Sequence, residues 1–145
     1  MKIEITNKQD IKKINIRRLK GQVSKILKVL NVRRDVSILL CANDFIKKLN
    51  KKFFAKGNPT DVISFFLEDV CVPGYLGEVI VSVQEAVIKG KEYANSWQKE
   101  MVLYIIHGIL HLIGYDDQTK KDRLKMEKKQ NQVIALLFSN TIKKL

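Results

Sequence analysis

Sulfur, imidazole and acidic groups are scarce in this chain, and each shortage narrows what it does. The two cysteines, Cys41 and Cys71, are too few for a disulfide-stapled scaffold and stand in no metal-ligand spacing to each other. They read as reduced, buried, small apolar residues, which fits a cytoplasmic protein. No apolar run approaches the roughly 20 residues of a membrane-spanning helix. The opening stretch MKIEITNKQD alternates apolar with polar residues and lacks the continuous apolar centre of a signal peptide. Insertion and secretion are therefore not expected. Asp and Glu number 15 against 27 Lys and Arg, and the resulting charge of +12 favours a polyanionic partner such as nucleic acid or an anionic surface.

The rest is ordinary for a globular chain. With 145 residues, 46% apolar and 29% charged, the sequence can bury one core and has no room for a second full domain, so 1–145 is expected to be a single domain. Its charge is unevenly placed. Residues 1–34 carry 11 basic and 2 acidic side chains, residues 35–119 carry 8 and 11, and residues 120–145 carry 8 and 2. Two basic ends flank a slightly acidic middle. Solvated lysine-rich helices explain the ends blandly, and a grip on a polyanion explains them functionally.

Residues 2–6 alternate as a strand does. A helical pattern follows through Ile11, Ile14, Leu19, Val23, Ile26, Leu27 and Leu30, with Arg17, Arg18 and several lysines on its other face. Residues 36–41 suit a buried strand, and Asn43 resembles the N-cap of a short helix ending near Asn50. Gly57, Asn58 and Pro59 mark a loop, residues 61–67 are rich in strand formers, and a Pro73-Gly74 turn leads into a second run over 77–83. Ser82 with Glu85 forms a capping box that opens a helix to about Ala94. Asn95 and Gln98 suggest the next start, and the helix from Trp97 to Leu112 is apolar on nearly every face, as a buried helix is. Gly114 breaks it, and Thr119 with Asp122 caps a last helix running past Leu124 and Met126 to Ile134, Leu137 and Phe138. This order predicts an α+β unit of α/β-like build: a small mixed sheet of about four strands, packed with helices around a central buried one.

The two histidines of the chain, His107 and His111, lie four apart on that helix. Positions i and i+4 project from one face, so both imidazoles reach a common point, as in helical pairs of zinc ligands. Gly114 lets the chain turn tightly out of the helix, and Asp117 is placed to return as a third ligand. HGILHLIGYDD thus has the spacing of the metzincin signature, with Asp where its third His stands. A lone core histidine or a helix-ending glycine is routine. Their combination with a carboxylate at the third position points to a metal centre. Gly108 follows His107, where zinc peptidases of this pattern carry a Glu as general base, so peptide hydrolysis is the weaker reading.

HGILHLIGYDD also resembles the HGxLHLxGYDH signature of the YbeY family, metal-dependent endoribonucleases tied to bacterial rRNA maturation. LNKKFFAKGNPTDVISF resembles that family's LNxxyRxxDxxTDVLSFP segment, and LGEVIVS resembles its LGDIxIS strand; the three blocks span residues 49–117 in the right order. The resemblance implies a zincin-like site on the His-x-x-x-His helix of a single endoribonuclease-like domain. It implies a single-strand-specific endoribonuclease of rRNA maturation and ribosome quality control, cytoplasmic and off the membrane, with rRNA and the small ribosomal subunit as partners; the sequence carries no oligomer signal, and a monomer is assumed. His107, His111 and Asp117 would hold one divalent ion, with zinc favoured, and Asp116, the Asp of the GYD triplet, would support them. Asp61 and Ser64 match the TDVLSF block, and Arg17, Arg18, Lys51 and Lys52 are the candidate RNA contacts.

Four positions depart from the family pattern: Asp117 replaces its third metal His, Phe54 its Arg, Gly57 an Asp and Phe66 a Pro. A carboxylate still ligates zinc, at roughly 2.0–2.2 Å. It lowers the local charge to about +1, so a bound water is acidified less than by three imidazoles. The harder oxygen tilts preference toward Mn or Mg, while two imidazoles keep zinc ahead. Phe54 cannot clamp a phosphate as a guanidinium does. Lys51, Lys52 and Lys56 lie in the same segment, with Lys56 the candidate phosphate contact, and Phe53 with Phe54 could instead stack an unpaired base. Beyond a metal-bound water, no catalytic group is identified. Two alternatives follow: a weakly active or non-catalytic RNA- and ribosome-binding maturation factor of the same fold, and a zinc peptidase-like hydrolase.

Overall fold

The computed structural model describes the backbone of residues 1–54, 62–65 and 74–143, and the side chains of residues 1–52 and 74–138. Along the chain run β1 (Ile3–Asn7), α1 (Ile16–Val29), β2 (Asp35–Cys41), α2 (Asn43–Phe54), β3 (Val62–Phe65), β4 (Tyr75–Ser82), α3 (Val83–Glu92), α4 (Trp97–Leu112) and α5 (Lys120–Lys143). The sheet is four-stranded in the order β1-β2-β4-β3. β1, β2 and β4 are parallel, and β3 runs antiparallel to β4 at the edge. This is the small mixed sheet that the sequence predicts.

Strand periodicity divides the apolar residues between two faces. Val36, Ile38 and Leu40 of β2 and Val79 and Val81 of β4 join the main core with α1, α3, α4 and α5, whereas Leu39, Cys41 and Ile80 face Ile46 and Leu49 of α2. Covered on both sides, β2 and β4 read as continuous apolar runs instead of alternating ones. Burial pushes the Cys41 thiol up to about 12, so this cysteine is an inert core residue. α4 packs against α1, α3, α5, β3 and β4. Its Ile105, Ile106, Ile109 and Leu110 are all 0% exposed, each contributing about 1.5–3 kcal/mol by removal from water. The predicted central helix is therefore real, with only a narrow stripe left to solvent. α1 and α5 pack against each other as well as on α4, so the two basic ends of the sequence meet in one layer.

Several boundaries differ from the sequence pattern. α1 begins at Ile16, after the N-cap Asn15, and not at Ile11. The Gln9 amide both accepts from Lys12 N at 3.0 Å and donates to Lys12 O at 2.8 Å, tying that segment into a turn. Asn43 is the first residue of α2 and not its cap, because the Ala42 carbonyl already accepts from Ile46 N at 3.3 Å. The Asn43 side chain instead receives the Ser82 hydroxyl at 2.6 Å and donates to Glu85 at 2.9 Å. α2 also runs on past Asn50 to Phe54. Ser82 caps α3 as expected, accepting from Glu85 N at 3.1 Å, but α3 stops at Glu92 and Ala94 turns left-handed at φ +53°. Ser96, not Asn95, caps α4. On α5, capped by Thr119 as predicted, Met126, Val133 and Leu137 face the core while Leu124 is 57% exposed. Lys56, Gly57, Asn58, Pro59, Asp61, Phe66 and Cys71 lie outside the described residues, as do the side chains of Phe53, Phe54 and Ser64. Among the described residues, no helix is long and apolar enough to cross a membrane.

Candidate metal centre

Three of every four positions along α4 point inward, and the exposed stripe that is left contains Leu103, His107 and His111 at i+4 intervals. The two imidazoles are therefore half-buried neighbours, with side chains 27% and 28% exposed. What brings a third group back is the end of the helix. Tyr115 N donates to Leu110 O at 2.9 Å and Gly114 N to His111 O at 3.1 Å, the paired bonds of a Schellman stop. Gly114 adopts φ +106°, a left-handed conformation that side-chain-bearing residues rarely take. Beyond it the Asp116 carboxylate accepts from Asp117 N at 2.7 Å and Gln118 N at 3.3 Å. Asp116 thus folds the turn and touches neither histidine, while Asp117 swings back over α4.

The result is a small triangle of acceptors. His107 Nε2 and His111 Nε2 lie 3.1 Å apart, and Asp117 Oδ2 lies 3.6 and 3.5 Å from them. Each imidazole is oriented from behind. His111 Nδ1 is 3.1 Å from the Tyr115 carbonyl, and His107 Nδ1 is 3.0 Å from Gln130 Oε1 on α5. The Tyr115 carbonyl only accepts, so His111 Nδ1 carries a proton. The Gln130 amide, set with its oxygen toward His107, holds a proton on that Nδ1 too, and in the neutral rings each Nε2 is then the lone-pair side. Two imidazoles and a carboxylate turned toward one point make a donor set able to hold a cation. At zinc bond lengths of about 2.0–2.2 Å, tetrahedral ligand atoms stand about 3.3–3.6 Å apart, so the triangle is close to the size of one tetrahedral face, its His–His side slightly shorter. The donor set fits a divalent ion, and three protein ligands are the number that catalytic zinc sites use, the fourth position going to water or substrate. Among the described residues, His107, His111 and Asp117 are the group able to hold one.

Beside the triangle lies a cavity of about 220 Å³ lined by His107, Asp117, Arg123, Met126, Glu127 and Gln130. Arg123 and Gln130 escape the sequence reading. Arg123 carries one weak signal, a cation in the first turn of a helix where the dipole disfavours it. Gln130 carries none, because only the docking of α5 on α4 sets it opposite His107. The remaining candidates are not gathered here. Arg17 and Arg18 sit at the start of α1, and Arg18 lines a cavity beside the first turn of α4, far from its histidine end. Lys51 and Lys52 are exposed on α2, which covers the opposite face of the sheet. Ser64 belongs to edge strand β3, paired with Val79, and β3 packs on α4.

Comparison with known proteins points to one family. The family profile described as Endoribonuclease YbeY matches residues 4–137. A Thermoanaerobacter protein (strain X514) named Endoribonuclease YbeY is 33% identical across 94% of this chain and 98% of its own. A Bacillus mycoides protein of the same name is 30% identical across 90% and 91%. A solution structure of a Thermotoga maritima protein superposes with a TM-score of 0.69 at 30% identity, covering 98% of this chain and 93% of that one. The profile runs through both basic helices as well as the histidine helix, and relatives match over nearly their whole length: the chain belongs to the YbeY endoribonuclease family.

Proposed function

We propose that this chain is a metal-dependent, single-strand-specific endoribonuclease acting on rRNA at the small ribosomal subunit, in rRNA maturation and ribosome quality control. The observation that carries the reading is the triangle of His107, His111 and Asp117 acceptors, held by Tyr115 and Gln130 from behind, in a chain whose relatives are named endoribonucleases. His107, His111 and Asp117 would hold one divalent ion, zinc by its two imidazoles and tetrahedral spacing. When bound, that ion supplies Lewis-acid polarisation of a phosphodiester oxygen. Tyr115 and Gln130 keep both Nδ1 atoms protonated and both rings aimed, and the Asp116 turn holds the Asp117 carboxylate in place. Arg123, on the wall of the adjoining cavity, is the guanidinium within the site able to grip a phosphate in two-point fashion. The protein works in the cytoplasm as a monomer, off the membrane, and the joined basic layer of α1 and α5 holds the RNA backbone.

Gly108 is buried and has no side chain to act as a peptidase base, the charge favours a polyanion, and the family description specifies RNA. A second reading, a weakly active or non-catalytic maturation factor, is favoured by the carboxylate at position 117, which lowers the charge of the centre. A cleavage assay on RNA containing single- and double-stranded parts separates the two. We expect cutting of the single-stranded part with Zn, Mn or Mg that stops in chelator and in His111→Ala. Tight RNA binding with no cutting in any metal would leave the non-catalytic reading standing.

A further inference from the structure

At the end of α4 remote from the histidines, α1, α4 and α5 enclose a cavity of about 410 Å³, within the size range of ligand sites. Its lining includes Lys13, Arg18 and Lys99, two aromatic walls, Trp97 and Phe138, and no carboxylate. Each ring has an ammonium group over it: Lys12 Nζ lies 5.9 Å from the Trp97 centroid, and Nζ of the lining residue Lys99 lies 5.9 Å from that of Phe138. Three cations without a counter-charge in the lining call for an anion, and the half-buried Trp97 ring, packed on the core and with an ammonium over it, offers a face to a flat partner. Phosphate and base occur together in a nucleotide. Stacking of a base outweighs an exposed cation–π contact, and the displaced ammonium moves onto the phosphate.

We infer that this cavity is a subsite for one unpaired nucleotide of single-stranded RNA, its phosphate held by Lys13, Arg18 and Lys99 and its base stacked on Trp97. The inference rests on the RNA-binding reading above and adds a place to it. Trp97 stands ten residues before His107, about 15 Å along the helix axis. A few nucleotides span that distance, well within the roughly 4–16 that single-strand binding folds occupy. The subsite therefore anchors the strand away from the metal centre, and it is formed where the two basic ends of the chain meet.

Trp97 is the single tryptophan, so its emission reports the cavity directly. An oligouridylate of about ten nucleotides is titrated into the full chain in chelator, with binding followed by Trp97 emission and by anisotropy of a labelled RNA. We expect saturable quenching that tracks the anisotropy. Arg18→Gln/Lys99→Gln should weaken binding roughly tenfold at about 0.15 M salt, because a single-strand salt slope of about 0.7 per phosphate makes each lost contact worth about fourfold. The control Lys89→Gln/Lys91→Gln removes two charges from α3 and should lose less than threefold. RNA binding without quenching, or equal losses in the two double variants, overturns the subsite. Quenching with no metal-dependent cutting upholds the subsite and removes the nuclease reading, whereas cutting without quenching does the reverse.

Discussion

Replacing Gln130 with Leu tests whether the metal centre is built from behind as well as in front. The amide oxygen lies 3.0 Å from His107 Nδ1 and holds the proton on that nitrogen, leaving Nε2 free toward His111 and Asp117. His111 has a backbone carbonyl in the same role, which no substitution removes. Leu keeps the length and helical preference of Gln but cannot accept, so His107 loses its orientation and part of its basicity. Losing such a partner costs about 10–100-fold in metal affinity, or about 1.4–2.7 kcal/mol. Competition with a zinc-binding dye reads this directly. Thermal unfolding reads it through linkage: zinc at 100 times the wild-type Kd stabilises by about 2.7 kcal/mol, and a tenfold weaker site by about 1.4 kcal/mol. The zinc-induced rise in Tm should then be smaller by about 3–5 °C. Gln130→Glu, which still accepts, should retain or exceed wild-type affinity. Unchanged zinc affinity in Gln130→Leu would refute the tautomer argument on which the site is built.

Gly114→Ala should cost about 1–3 kcal/mol in urea unfolding and weaken zinc binding, because φ +106° is strained for alanine although nothing lies within 4 Å of the added methyl; unaltered stability would mean that the Schellman stop does not depend on glycine. Ser82→Ala should destabilise by about 2 kcal/mol, since one hydroxyl both caps α3 and donates to Asn43 Oδ1, and a midpoint within error of wild type would remove that double role. Burial, then the charge of Glu4, raises the Glu78 carboxyl above its ordinary range, opposed by Lys8. The unfolded chain therefore releases this proton first, so the contribution of Glu78 falls as pH rises from the ordinary carboxylate pKa through the raised one, then levels. Glu78→Gln should flatten that fall and gain stability at neutral pH, and superimposable stability curves over mildly acid to neutral pH would contradict it.

How far the sequence alone specifies a feature follows from how local that feature is. The limits of α4, its capped start within one residue, and the Gly114 stop depend on contacts within one or two turns, and these were legible. So was the metal triangle, because two residues of one helix face and a tight turn need no distant partner to converge. Boundaries failed where a side chain bonded out of register: Gln9 held back α1, and Asn43 turned from its own helix to Ser82 and Glu85 across the sheet. Leu124 fits an apolar pattern, yet the docking angle of α5 leaves it in water.

By itself the sequence determined the strand and helix order, the buried histidine helix, the three converging side chains of the candidate site and the two separate basic ends, all matters of periodicity and short-range geometry. Only the tertiary structure decided which remote residues meet: Gln130 behind His107, Arg123 beside the triangle, and Arg18 with Lys99, Trp97 and Phe138 in one cavity. The reason is physical. The packing of α1 and α5 on α4 is chosen by the fit of whole apolar faces, and the polar residues those faces carry along are placed by that fit, not by their neighbours in the chain.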